Sequence, residues 1–403
     1  MKPTHILTIL GVVALAVLLS GCVTPTTPPG PTTGEVSLLY TSVGQMPQLL
    51  ATDQIDGYMA WQPFVAVAKV TGMGTVVSYS QDLPPKPVWE DHSCDSLVGR
   101  NEVVDENPVL ADALAVVLIH ATDYTRENPD AAAKASAEWI FGTSDLTFGN
   151  ITVDPLDVEK ASIPTIMFVN EPSASWMASN DLFIGALTEI NYLQGKLANA
   201  SPTERNELLY NFGPYENAKA AIRDGKNPLP AGGADTITIG YLLSDHDAPL
   251  FVAIKEWQHF NDTYGIALKP KTESAGKVES AELIVNGQKI ADVQLVKGES
   301  GAQLMTLMAS NSLDYSVAGT PPTITAIDKG TPIRILFPLH TEGSGLVVAS
   351  KAPVKENDWD GFISWVKSAG RPVKIAVAPK GSIQDVQLRY ALEQSGLVVN
   401  EAK

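Results

Sequence analysis

The run Ser244-Asp245-His246-Asp247 sets two carboxylates about an imidazole, the side chains of a metal site or an acid–base pair. Three consecutive residues do not converge on one ion, so no metal is expected there. The run falls between a predicted strand and a helix. One or two of its side chains, among Ser244, Asp245 and His246, are therefore expected to line a cleft while the rest cap the helix. His92 and Cys94 in DHSCD offer the parts of a Cys/His nucleophile, but no Asn or Asp partner can be placed with them and catalysis is not expected. Lys380-Gly381-Ser382 has the look of a phosphate-type loop without the second Gly and the Lys-Ser/Thr pair of a nucleotide-binding loop. Ser382 is at least a helix cap.

The elements that must hold these residues centre on Ser300 to Val348. This stretch predicts a helix over 301–309, a strand over 313–317, a tight loop over 319–322, a helix over 323–329 and a strand over 333–338. Its loops are small and rich in Gly, Ser, Thr and Pro, which lets backbone N–H groups at helix starts face a small ligand. Ser300, Gly301 and Gln303 open one helix, Gly319 and Thr320 the next, and Gly343-Ser344-Gly345 forms a hinge-like strand entry. Helix starts carry partial positive charge, so an oxyanion is the favoured ligand. Were Asp245 and Asp247 to face the cleft, an amine or a heterocycle such as a pyrimidine would fit better.

A chain of 403 residues, 44% hydrophobic and 18% charged, supports a buried core divided between two lobes. Its net charge of −17 argues against nucleic acid or an anionic membrane as the partner of the folded part. Lys2, the apolar run from Ile6 to Leu19 and Leu19-Ser20-Gly21-Cys22 read as a signal peptide with a lipobox, in which Cys22 becomes the lipid anchor. A Pro/Thr-rich tether over 23–34 follows. Only Cys94 then remains, so an intrachain disulfide is not expected.

Strand and helix signals alternate from Val36 to Tyr79, helical patterns dominate from Asn107 to Arg223 (one of them over 192–197), and NPLPAGGA at 227–234 closes the segment. Beyond it come a buried strand at 236–242, a helix at 248–261 and a hairpin over 277–297 turning at Asn286-Gly287, expected as a surface insertion. Strand 373–378 and a helix from Ser382 follow, and the chain stops where another strand is due. Gln48-Leu49-Leu50, Ile55-Asp56 and Trp61-Gln62-Pro63 parallel Gln303-Leu304-Met305, Leu313-Asp314 and Gly319-Thr320-Pro321, with Pro seven residues after Asp in both. Two lobes built on one strand-helix-strand unit are expected.

From Asp235 onward, TITIGYLLSDHDAPLFVA, SGAQLMTLMASNSLDYSVAGTPPTITAIDKGTPI and KIAVAPKGSIQDVQLRYALEQSGL resemble the first half of the nitrate/sulfonate/taurine-type periplasmic substrate-binding proteins of ABC transporters. MPQLLATDQIDGYMAWQPF and HSCDSLVGRNEVVDENPVLADALAVVLIHATDYTREN resemble the second half. The order is reversed, so the chain resembles a circular permutant. The resemblance implies an α/β fold of periplasmic-binding-protein type II with two lobes on a hinge. It joins about 92–230 with 235–350 in one lobe and 36–88 with 372–403 in the other. It further implies a monomer with no catalytic residues, metal or cofactor, lipid-anchored on the outer face of the cytoplasmic membrane, that delivers a small ligand to a permease and ATPase. Ser344 and Ser382 would join the ligand loops, and Trp61 and Gln62 in AWQPF would face them from the opposing lobe, Trp61 by stacking.

Overall fold

The computed structural model describes residues 34–230, 235–274 and 277–402. The signal segment, Cys22 and the tether up to residue 33 lie outside them.

Two sheets carry the fold. The first has six strands in the order Val398–Glu401, Glu35–Tyr40, Val373–Val377, Gly57–Trp61, Ser344–Ala349 and Gly74–Tyr79. The second has seven, in the order Ile333–Pro338, Asp95–Arg100, Tyr315–Gly319, Asp235–Tyr241, Gln288–Lys297, Lys277–Val285 and Ile266–Ser274. Central strands such as Ser344–Ala349 and Tyr315–Gly319 are buried along their whole length, because helices cover both faces and leave no side that tolerates polar residues. The paired units expected from the internal similarity are present. Helix Met46–Ala51 leads to strand Gly57–Trp61 and helix Phe64–Val70, and helix Gly301–Ala309 leads to strand Tyr315–Gly319 and helix Thr320–Asp328.

The lobe boundary differs from the expected one. Ser344–Ala349 leaves the 235–350 block and pairs antiparallel between Gly57–Trp61 and Gly74–Tyr79, and helix Trp359–Ser368 packs on that same sheet. The chain crosses between the sheets at 339–343, where Glu342 (φ 69°) and Gly343 (φ 86°) both take left-handed backbone. The hairpin over 277–297 is not a surface insertion. Asn286 (φ 49°) and Gly287 (φ 77°) make the expected tight turn, but Gln288–Lys297 runs parallel to Asp235–Tyr241 from Ala291–Asp235 to Lys297–Tyr241. Val278, Ala281, Leu283, Val285, Ala291 and Val293 turn into the core, the one-sided burial that period-two alternation produces.

Three local readings also change. Helix Thr320–Asp328 starts directly after Gly319, with Pro321 and Pro322 in a first turn that needs no N–H from them. Residues 192–197 are loop and turn rather than helix. The strand due after helix Ile383–Gln394 exists as Val398–Glu401, an edge strand beside Glu35–Tyr40, with the Val398 N–H donating to Gly34 O at 3.0 Å. Glu35–Tyr40 itself runs parallel to Val373–Val377, Val36 opposite Val373.

Candidate ligand cleft

A cavity of about 270 Å³ opens between the lobes. One wall is Ser300, Gly301, Met305, Thr306 and Ala309 of one helix with Pro322, Thr325, Ala326 and Lys329 of the next. The other is Trp61 with the loop Pro379 to Ser382, and Tyr192 closes one side. Ser300 and Ser382 are N-caps, each hydroxyl accepting a backbone N–H, from Gln303 at 3.2 Å and from Asp385 at 3.2 Å. Both helix starts therefore lie in the wall. The loop is braced from behind by Asp385, whose carboxylate accepts the Gly381 N–H at 2.9 Å and the Tyr40 hydroxyl at 2.8 Å. Gly381 sits at φ 82°, and a Cβ there would stand 2.5 Å from the Tyr192 ring. Glycine thus lets that ring lie on the loop, where its hydroxyl donates to Lys380 O at 3.1 Å.

The electrostatics favour an anion. Lys329 and Lys380 line the cavity, and among the described residues no Asp or Glu does. The Lys380 ammonium pairs with Glu401 at 2.6 Å, and that of Lys329 lies 5.9 Å from the Tyr192 ring centre. Two helix starts add partial positive charge. Met305, Ala309, Pro322 and Ala326 make the rest of the wall apolar. The arrangement can hold a small anionic group on a carbon body, with Trp61 and Tyr192 as flat contacts.

Of the residues expected from sequence, the cavity brings together Trp61, Ser300, Gly301 and Ser382. Gln303 turns away, its side-chain oxygen accepting the Glu299 N–H at 2.6 Å. Gln62, Ser244, Asp245, His246, Gly319, Thr320 and Ser344 are buried behind the wall. Gln62 donates to Thr165 at 2.7 Å, and its carbonyl accepts the Asp245 N–H at 3.1 Å and the Ser244 hydroxyl at 3.2 Å. Thr320 donates to Cys94 O at 2.7 Å, and Ser344 accepts from Gln384 at 2.8 Å. Tyr192 and Lys329 were not expected. Lys329 stands at the C-terminal end of its helix, where a search for helix starts does not look.

Asp245 and Asp247 do not face the cavity, which removes the carboxylates an amine ligand would need. Burial raises both carboxyls, Asp247 well above its usual range with the charge of Asp95 adding to the effect. Asp245 accepts a short hydrogen bond from Ser162. Burial, followed by the nearby Asp245, also pushes Glu159 well up. Desolvation lowers His92 to about 4 and His340 well below the ordinary imidazole value, and raises the Cys94 thiol well above its own.

At the crossover, burial and then the charges of Asp91, Asp82 and Glu90 raise the Glu342 carboxyl to about 7 against an ordinary 4.5, although an Asp91 hydrogen bond opposes the shift. A raised folded-state value means that folding favours the protonated acid. The penalty is absent below about 4.5, builds up between there and about 7, and is complete above it. Glu342→Gln should therefore stabilise the protein by about 1 kcal/mol at pH 8, after discounting for partial exposure, and hardly at all at pH 5. Thermal melts at the two pH values check this, and an equal shift at both would contradict it.

Two α/β lobes closing on such a cavity define a solute-binding protein of the periplasmic type. The chain matches the NMT1-like family over residues 23–141 and 231–402 and belongs to it, within the nitrate/sulfonate/taurine-binding class. An uncharacterized protein of Methanocaldococcus jannaschii is 44% identical over 108 residues, 27% of this chain and 72% of the relative. The nitrate/nitrite binding protein NrtA of Synechococcus elongatus is 25% identical over 185 residues, 43% of this chain but 38% of the relative. No solved structure matches significantly. Among the described residues no helix is long and apolar enough to cross a membrane.

Proposed function

We propose that this protein is the lipid-anchored, non-enzymatic receptor of an ABC importer and that it captures a small organic oxyanion, an alkanesulfonate before taurine or nitrate. The observation that carries this reading is a cavity wall combining two helix starts, Lys329, Lys380, Trp61 and Tyr192 with, among the described residues, no carboxylate. Its apolar remainder suits a carbon body better than a bare inorganic ion. A similarity to a nitrate/nitrite binding protein supports the oxyanion class. Cys22 would hold the receptor at the outer membrane face, and a permease and ATPase would take the ligand on.

The chain order is that of a circular permutant. Glu35–Tyr40 lies between Val373–Val377 and the short edge strand Val398–Glu401, parallel to both, in the slot beside Val373–Val377 that a right-handed crossover through helix Ile383–Gln394 would fill next. Residue 398, just past that helix, is already hydrogen-bonded to Gly34, so the two chain ends could be joined without rebuilding the sheet.

Thermal-shift screening tests both points on this chain and on one reordered to begin at Asp235 with residue 402 linked to Gly34. Alkanesulfonates should raise the melting temperature of both by several degrees at 100 times the dissociation constant, and taurine, whose ammonium meets no carboxylate among the described residues of the wall, by less at equal concentration. A shift with pyrimidines and none with any anion would refute the oxyanion reading, and a reordered chain that does not fold would refute the permutation.

A further inference from the structure

Behind the cavity, three distant segments meet at one end of the seven-stranded sheet. Cys94 and Asp95 open strand Asp95–Arg100, His246 lies in the single turn after Asp235–Tyr241, and His340 follows Ile333–Pro338. All four are buried, and one donor atom from each lies within 4.8 Å of the others. We infer that Cys94, Asp95, His246 and His340 bind a zinc-type divalent cation.

Three observations carry the inference. The spacing is close, with a small inward shift needed: Cys94 Sγ lies 3.4 Å from His246 Nδ1, Asp95 Oδ1 lies 3.8 Å from each of them, and no pair of the four exceeds 4.8 Å. A tetrahedral ion with sulfur at about 2.3 Å and nitrogen or oxygen at about 2.0–2.2 Å sets its ligands roughly 3.3–3.7 Å apart. The rings are also oriented for it. His246 Nε2 lies 2.8 Å from Gly343 O and His340 Nδ1 lies 3.3 Å from Thr341 O. N–H donation to those carbonyls leaves His246 Nδ1 and His340 Nε2 with lone pairs toward the cluster, the outer-sphere tether usual for metal-bound imidazoles. Finally, Asp95, 3% exposed, has a buried Oδ2 with no hydrogen-bond partner, and Asp247 Oδ1 is likewise unpartnered. A buried carboxylate oxygen without a donor is costly unless a cation meets it.

The ion would displace one weak contact, the Asp95 N–H on His340 Nε2 at 3.2 Å, and the Cys94 proton, which leaves to solvent. Only His246 comes from the Asp-His-Asp run, so the rule against three consecutive ligands is respected. Four protein ligands close the site, as structural zinc sites are closed. Its tether to Gly343 would stiffen the crossover between the sheets.

The full chain, stripped with a chelator, should bind one equivalent of Co²⁺ with thiolate-to-cobalt absorption in the near ultraviolet, lose it to Zn²⁺, and melt higher with either ion. Cys94→Ser should abolish that absorption and weaken Co²⁺ binding at least tenfold, with the far-ultraviolet circular dichroism of the metal-free protein unchanged. His246→Gln should do the same and serves if the first variant does not fold. Absence of stoichiometric binding by the wild type overturns the inference. So does absorption retained in Cys94→Ser, which would locate the thiolate at Cys22.

Discussion

Asp328→Ala is expected to destabilise the protein by about 2–3 kcal/mol and to weaken ligand binding with it. The Asp328 side chain, 4% exposed, accepts three backbone N–H groups of the loop after helix Ala174–Glu189. Its Oδ2 accepts the Gln194 and Gly195 N–H groups at 3.1 and 2.7 Å, and its Oδ1 accepts that of Leu197 at 2.8 Å. The residue's own carbonyl takes the Lys196 N–H at 3.1 Å. Alanine leaves three amides without that partner; the Leu197 amide is buried and its loss is worth roughly 1–3 kcal/mol, while those of the exposed Gln194 and Gly195 can turn to water and add less. The loop passes so close that a Cβ on Gly195 would lie 2.1 Å from Asp328 O, so it cannot slide to find other acceptors. Tyr192, two residues upstream of the clamp, would lose its seat on Gly381. Denaturant unfolding and a ligand titration on one sample measure both effects. A stability loss below about 1 kcal/mol would show that the clamp is not what orders the loop.

Trp89→Ala should cost about 3–5 kcal/mol, because the indole is fully buried in a core that both lobes share. Its ring centre lies 5.3 Å from Phe183 on helix Ala174–Glu189 and 5.6 Å, edge to face, from Tyr390 on helix Ile383–Gln394. It also meets His92 edge to face at 6.4 Å. Removal leaves a void where the two lobes touch, so ligand affinity should drop alongside stability. Trp89→Phe, which keeps part of the ring volume, should lose clearly less in the same denaturation experiment. Equal losses for the two variants would mean that burial at this position, and not ring packing between the lobes, sets the cost.

Local signals were legible wherever the chemistry that sets them is local. Ser300 and Ser382 were readable as helix starts because a cap is defined by a side chain and an amide three residues on. Asn286-Gly287 was readable as a turn because left-handed backbone selects those residues. The Ser201-Pro202-Thr203-Glu204 capping box, which opens helix Pro202–Leu209, carries the same kind of signal. The hairpin was misplaced because alternation says that one face is buried without saying against what.

The cavity shows the same division. Trp61, Ser300, Gly301 and Ser382 were found as loop residues at helix starts or facing them, whereas Tyr192 and Lys329 reach the wall from a loop and a helix end that carry no mark of their own. Asp245 and His246 were equally good candidates by type, yet tertiary packing drew them inward, onto Ser162 in one case and onto Cys94 and Gly343 in the other.

The sequence alone determined the class of fold and helix starts such as those at Ser300 and Ser382, where the signal lies in residues a few positions apart. Tertiary structure decided which of those starts share a wall. Contacts such as Gln62 with Thr165, Tyr192 with Lys380 and Cys94 with His246 join residues about 100 to 190 positions apart. No periodicity or motif reports on such distances, because they are fixed only when both sheets have assembled and the crossover at Glu342 and Gly343 has set one lobe against the other.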